Sequence, residues 1–139
     1  MVPQTYLYTI SRRDIPVSQQ AVQAGHAALE YAYQYGRPPD NHPTYVHLTT
    51  NSRIALEYER QRLREAGIVT TEFHESYKNW GLTAIACLLT QDNREILSHL
   101  PLWRADGQTP NPPSILESSI VKRPASQNQK SVREIVQTI

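Results

Sequence analysis

Four scarcities narrow what this chain of 139 residues can be. It has one cysteine, Cys87, so neither an internal disulfide nor a cysteine-based metal site can form, and an intracellular, cytoplasmic setting is the expectation. It has only 5 glycines, and no Gly-x-Gly-x-x-Gly or Walker-type run occurs, which excludes the usual phosphate-cradling loops. No charge of either sign dominates: the formal net charge is +1, which gives no global attraction to nucleic acid or membrane. No apolar run approaches membrane-spanning length, and the Met1–Tyr8 segment lacks the basic flank and apolar core of a signal peptide. Hydrophobic residues make up 39% and prolines number 10, the balance of a compact part joined to a polar, Pro-containing part.

What is present alternates between strand and helix patterns. Thr5–Ile10 alternates and is rich in Tyr, Thr and Ile, so it predicts a strand. A helix is expected from an N-cap at Ser18 to Tyr35, stopped by Gly36 and the Pro38-Pro39 pair. At about 100° per residue, Ala21, Gly25, Ala28 and Ala32 form a small stripe expected to dock on a sheet, with Val22 and Leu29 beside it. Gln19, Gln23, His26 and Glu30 form the next stripe, expected at the edge of a cleft. Gln20, Ala24, Ala27 and Tyr31 are expected to face solvent.

Further on, Tyr45–Thr49 predicts a second strand. Asn51 or Ser52 caps a second helix running through Ala66, with Leu56 and Leu63 on its inner side and Gly67 beyond. Ile68–Phe73 is a third strand. Leu82–Leu89, nearly all apolar, is a buried central one. Asp92 or Asn93 then caps a short helix, Arg94–Leu100, ended by Pro101. The fold class is therefore α/β: a mixed four-stranded sheet flanked by helices, the last two strands antiparallel, with a C-terminal extension. The domain is expected over residues 1–102. Residues 103–139 read as a Pro-containing extended arm ending in a short amphipathic helix with Val132, Ile135, Val136 and Ile139 on one side.

Two segments concentrate groups able to do chemistry: the Gln19/Gln23/His26/Glu30 stripe, and the run Phe73-His74-Glu75-Ser76-Tyr77-Lys78-Asn79-Trp80 between the last two strands. As plain structure, the run is a solvated hairpin and His26 a boundary histidine bonded to a carbonyl. The remaining histidines have no metal-ligand spacing; His42 reads as solvated and His47 as a satisfied strand histidine. No metal and no cofactor are expected.

Arg12-x-Asp14-Ile15 followed by Gln23-Ala24-Gly25-His26-Ala27-Ala28, with Thr83-Ala84-Ile85-Ala86 later, resembles the second, archaeal- and eukaryotic-type family of peptidyl-tRNA hydrolases over roughly residues 5–90. That family carries Arg-x-Asp-Leu, then a helix with Lys-x-x-x-Gln-x-x-His-Ala, an Asp-Ala-Gly-Arg-Thr-Gln element, and a buried strand. Here Gln19 stands where the family has its helix lysine, and His74–Asn79 replace the Asp-Ala-Gly-Arg-Thr-Gln element. The resemblance implies hydrolysis of the ester joining a peptide to the 3′ ribose of tRNA. By it, His26, Glu75 and Gln23 are the catalytic candidates. Gln19, Arg12, Arg13, Tyr77, Lys78 and Asn79 are the binding candidates, with cations for phosphate and Tyr77 or Trp80 for a base. Two alternatives stand beside the hydrolase. One is a binding module of the same fold that holds RNA, a nucleotide or a protein. The other is an assembly protein whose tail docks on a second chain. A homodimer is compatible with all three.

Overall fold

The computed structural model describes residues 2–107. The arm and its terminal helix fall almost wholly outside the described residues. Four strands, β1 (Thr5–Arg12), β2 (Thr44–Thr50), β3 (Thr70–Glu75) and β4 (Gly81–Thr90), form one sheet in the order β2-β1-β4-β3. β1 and β2 are parallel, as the intervening helix requires, and β4 runs antiparallel to both β1 and β3. The ends of β1, β2 and β3 and the start of β4 therefore meet at one end of the sheet. The mixed four-stranded α/β architecture expected from the sequence is the one observed.

Helix α1 (Val17–Tyr35) and helix α2 (Arg53–Glu65) cover opposite faces. On the α2 side, Leu56 and Leu63 are fully buried among Tyr6, Tyr8, Ile10, Leu48, Ile85, Cys87 and Leu89. Each of these leucines stabilises the fold by about 2–3 kcal/mol through burial alone. Ser52 caps α2, its hydroxyl accepting the Ala55 N–H at 3.2 Å. On the α1 side, Ala27 meets Ala84 and Ala86, with Tyr31 and Phe73 at the margin. These small side chains bring α1 close to the sheet, close enough for the Thr71 hydroxyl to bond the Ala27 carbonyl at 3.0 Å.

The face of α1 that docks is the one expected to point to solvent. Gln20, Gln23, Ala24 and Ala27 are buried, whereas Val22 and Leu29 are 46% and 49% exposed. Small residues lie all round this helix, so size does not select a face. Bonding does: the Gln20 amide donates to the Ile15 carbonyl at 2.8 Å, and a partnered glutamine tolerates burial. The helix starts one residue before Ser18, with Pro16 in the cap position and no side-chain cap. Its end at Gly36, φ +72°, is the left-handed stop that glycine allows.

β4 contains an irregularity that matters for the site. Its register with β3 passes from Phe73↔Ala84 to His74↔Leu82, skipping Thr83. The extra residue keeps Leu82 in the α2-side core with Ile85 and turns Thr83 toward α1, the re-aiming that a β-bulge produces.

After β4, a 3-10 turn at Arg94–Leu97 replaces the longer helix expected to Leu100. Asn93 is engaged instead in capping the strand end, its side chain accepting the Thr90 N–H at 2.8 Å. The packed unit also continues past residue 102. Leu102 bridges to Leu48, the Trp103 N–H donates to the His47 carbonyl at 2.8 Å, and the Trp103 ring stacks on His47 at 5.1 Å. Trp103 and the residues to Gly107, assigned to the arm from their turn-rich sequence, thus include a segment docked on the sheet edge.

Candidate functional site

At the end of β3, three side chains form a connected line. The Thr83 hydroxyl donates to Gln23 Oε1 at 2.7 Å, and the Gln23 amide donates to Glu75 Oε1 at 3.1 Å. Gln23 is 1% exposed and Thr83 fully buried, so this line starts in the interior and ends on a partly exposed carboxylate. The same Gln23 amide reaches Gln19 Oε1 at 3.3 Å. Each end of Gln23 is therefore fixed, and its amide orientation follows from Thr83.

The Glu75 carboxyl is held below the usual carboxylate range, first by the Gln23 amide and then by the Tyr77 N–H, which donates to Oε2 at 3.2 Å. The charge of His26 acts in the same direction, which puts His26 within electrostatic reach of Glu75. His26 lies one turn along α1 from Gln23, partly exposed, with its ring stacked on Phe73 at 4.3 Å between centroids. The arrangement is an ionised carboxylate and an imidazole, both anchored from beneath and both open to solvent.

Tyr77 and Trp80 meet edge to face at 5.3 Å, and the Lys78 ammonium lies 5.6 Å from the Tyr77 ring centre. Lys78 and Asn79 both have left-handed backbones, φ +52° and +56°, so this turn is tightly wound and both side chains are exposed. Gln19, Gln23, His26, Glu75 and Tyr77 are thus brought together, with Lys78, Asn79 and Trp80 on the adjoining turn.

Arg12 sits differently from the role the sequence suggested. Arg12 is 8% exposed and turned inward. It grips Asp14 at 2.7 and 3.1 Å and donates to the carbonyls of Trp80 and Leu82, the latter at 3.1 Å. With its donors engaged in this way, it clamps the Trp80–Leu82 backbone to β1 instead of meeting phosphate. Arg13 donates to the Asn51 side chain beyond the end of β2.

Thr83 was not singled out as a site residue from sequence, and Phe73 was named only as the first residue of the candidate run, with no role. A hydroxyl inside the apolar run Leu82-Thr83-Ala84-Ile85 was the available signal for Thr83. His47 is, as expected, a bonded strand histidine: its Nε2 pairs with the Ser11 hydroxyl at 2.8 Å, and burial pushes its pKa down to about 4. Burial likewise pushes the Cys87 thiol up to about 12, far from a reactive thiolate. Among the described residues no group of three or more His, Cys, Asp or Glu side chains could hold a metal ion, and no helix is long and apolar enough to cross a membrane.

No family model matches the chain, and no curated protein matches it. Among solved structures it is similar to that of Atu0240, a protein of unknown function from Agrobacterium tumefaciens strain C58. The TM-score is 0.55 at 17% identity, covering 71% of this chain and 97% of that one. At that identity the likeness carries the fold alone, and the chain shares its α/β fold with a protein whose activity is itself open.

Proposed function

We propose that this chain is a divergent peptidyl-tRNA hydrolase-like protein that cleaves the ester between a peptide and the 3′ ribose of tRNA. The observation that carries the reading is the Thr83–Gln23–Glu75 line, which fixes an ionised carboxylate within electrostatic reach of His26. Ester hydrolysis needs a base for water and donors for the developing oxyanion. A carboxylate held below its usual range is a weak base, so Glu75 serves to orient and to stabilise a cation. A neutral imidazole nitrogen can accept a proton, and His26 is assigned to take the water's proton. Gln19 accepts from Gln23 through Oε1, which leaves its NH2 donors for the oxyanion. Lys78 offers a cation for phosphate, and the exposed Tyr77, backed by Trp80, offers a ring for a terminal base.

The test is release of peptide from peptidyl-tRNA by the purified full chain. Wild type is expected to turn over, and His26→Ala and Glu75→Gln to lose roughly 10²-fold or more. No release by wild type, with a known hydrolase active in parallel, refutes the reading.

One observation favours a second reading, a binding module without turnover. Gln19 stands where the resembled family has lysine, and it is bonded to Gln23. That reading predicts tRNA capture with no cleavage, and an affinity that Glu75→Ala leaves unchanged.

A further inference from the structure

The carbonyl bond expected of His26 as a boundary histidine is absent. Among the described residues its imidazole makes no hydrogen bond, whereas His47, His74 and His99 each pair a ring nitrogen with a hydroxyl or a carboxylate. The last torsion of a histidine side chain has a broad profile, so a partly exposed, unbonded ring turns freely unless something packs on it. At His26 a single ring does so. Phe73 lies face to face with the imidazole, 4.3 Å between centroids and 19° between planes.

Phe73 is itself firmly seated. It pairs with Ala84 in the ladder, on the last regular rung before the register shift, and its carbonyl accepts the Thr83 hydroxyl at 3.2 Å. Its side chain packs on the floor made by Ala27, Ala84 and Ala86. A ring fixed by sheet and floor can hold a second ring that has no bond of its own.

We infer that Phe73 is the positioning residue of the site, its ring fixing the plane of the His26 imidazole while both imidazole nitrogens stay open to water and substrate. A hydrogen bond would also hold the imidazole, but it would occupy one nitrogen. A stack holds it through the π-face and occupies neither. Phe73 has no group that can exchange a proton, so it acts through His26. Its effect on rate rests on the proposed hydrolase reading; its hold on the imidazole does not.

The experiment uses the full chain. Phe73→Leu keeps an apolar side chain without the π-face, and Phe73→Tyr keeps the ring. Phe73 is the chain's single phenylalanine, so phenylalanine-selective labelling reports this ring alone in NMR. In wild type, nuclear Overhauser contacts are expected from it to the His26 ring protons, which are identified by their loss in His26→Gln. Lying over the phenyl face, those protons are expected upfield, and in Phe73→Leu they are expected to move downfield with far-UV circular dichroism unchanged. With peptidyl-tRNA, Phe73→Leu is expected to lower kcat roughly 10- to 100-fold with KM unchanged, the scale of a misplaced reacting group. Phe73→Tyr is expected to recover wild-type kcat to within about twofold, because the stack is kept. A purely structural Phe73 would change the urea midpoint and leave the kcat of folded Phe73→Leu at the wild-type value, which overturns the inference. So does the absence of contact between the two rings in wild type. A wild type that releases no peptide refutes the hydrolase reading instead; the hold on His26 then stands if its ring protons move in Phe73→Leu and falls if they do not.

Discussion

Thr83→Val isolates the hydroxyl at the root of the candidate site. Valine matches threonine in shape and suits a strand, so the substitution removes one polar group and little else. The lost bond is the 2.7 Å donation to Gln23 Oε1, together with the weaker 3.2 Å contact to the Phe73 carbonyl. Gln23 is 1% exposed, so water cannot replace the donor, and a buried acceptor left unpaired costs about 1–3 kcal/mol. A loss of roughly 2 kcal/mol is expected, readable by urea unfolding at neutral pH as a midpoint shift of about 1–2 M. Replacing both partners by apolar groups removes the orphan. The double variant Thr83→Val, Gln23→Leu is therefore expected to be more stable than the two single losses added together, by about 1–2 kcal/mol. Gln23→Leu also removes the leading influence that holds the Glu75 carboxyl low, so NMR titration is expected to find that group moved up toward its ordinary range. A Thr83→Val loss under about 0.5 kcal/mol, strict additivity in the double variant, or an unmoved Glu75 titration would each refute the proposed linkage.

The parts of the fold written most plainly in the sequence were those with one strong periodicity. Leu82–Leu89 read as a buried strand, and the short step from the third strand favoured an antiparallel neighbour. Leu56 and Leu63, one heptad apart amid charged residues, marked the inner side of α2 without ambiguity. The orientation of α1 was not legible for the opposite reason. Alanine and glycine surround it, and what decides its face is a pair of glutamines whose partners, Ile15, Thr83 and Glu75, come from other elements. The bulge at Thr83 was hidden because a strand buried on both faces has no alternation for an extra residue to interrupt. In the site, Gln23, His26 and Glu75 stood out by residue type and by the family resemblance. Arg12 misled because its sinks, two carbonyls about seventy residues downstream, exist only once β1 lies beside β4.

Arg12→Ala is expected to cost about 2–4 kcal/mol in chemical denaturation, since the Leu82 carbonyl is left unpaired in the interior and the Trp80–Leu82 backbone loses its clamp; a loss below about 1 kcal/mol would show the clamp to be idle. His47 gives a prediction in pH. Its neutral form is favoured in the fold, with the pKa lowered from 6.5 to about 4 by burial. The unfolded chain therefore binds a proton that the folded chain refuses as pH falls below 6.5. The resulting stability is fully present above that value and is lost progressively down to about 4. At about 1.4 kcal/mol per pH unit, the loss is on the order of 3 kcal/mol across the window. Glu72 and Asp40, whose carboxyls are held low by their partners, lose their contributions only as pH falls below the ordinary carboxylate value of 4.5 or 3.8. The two causes separate by pH: urea unfolding between pH 7 and 5 reads His47 alone among these groups. His47→Gln is expected to flatten the slope in that range and leave the steeper fall below it. An unchanged slope between pH 7 and 5 in that variant would assign the acid sensitivity elsewhere and would mean that His47 takes up its proton without leaving the Ser11 bond.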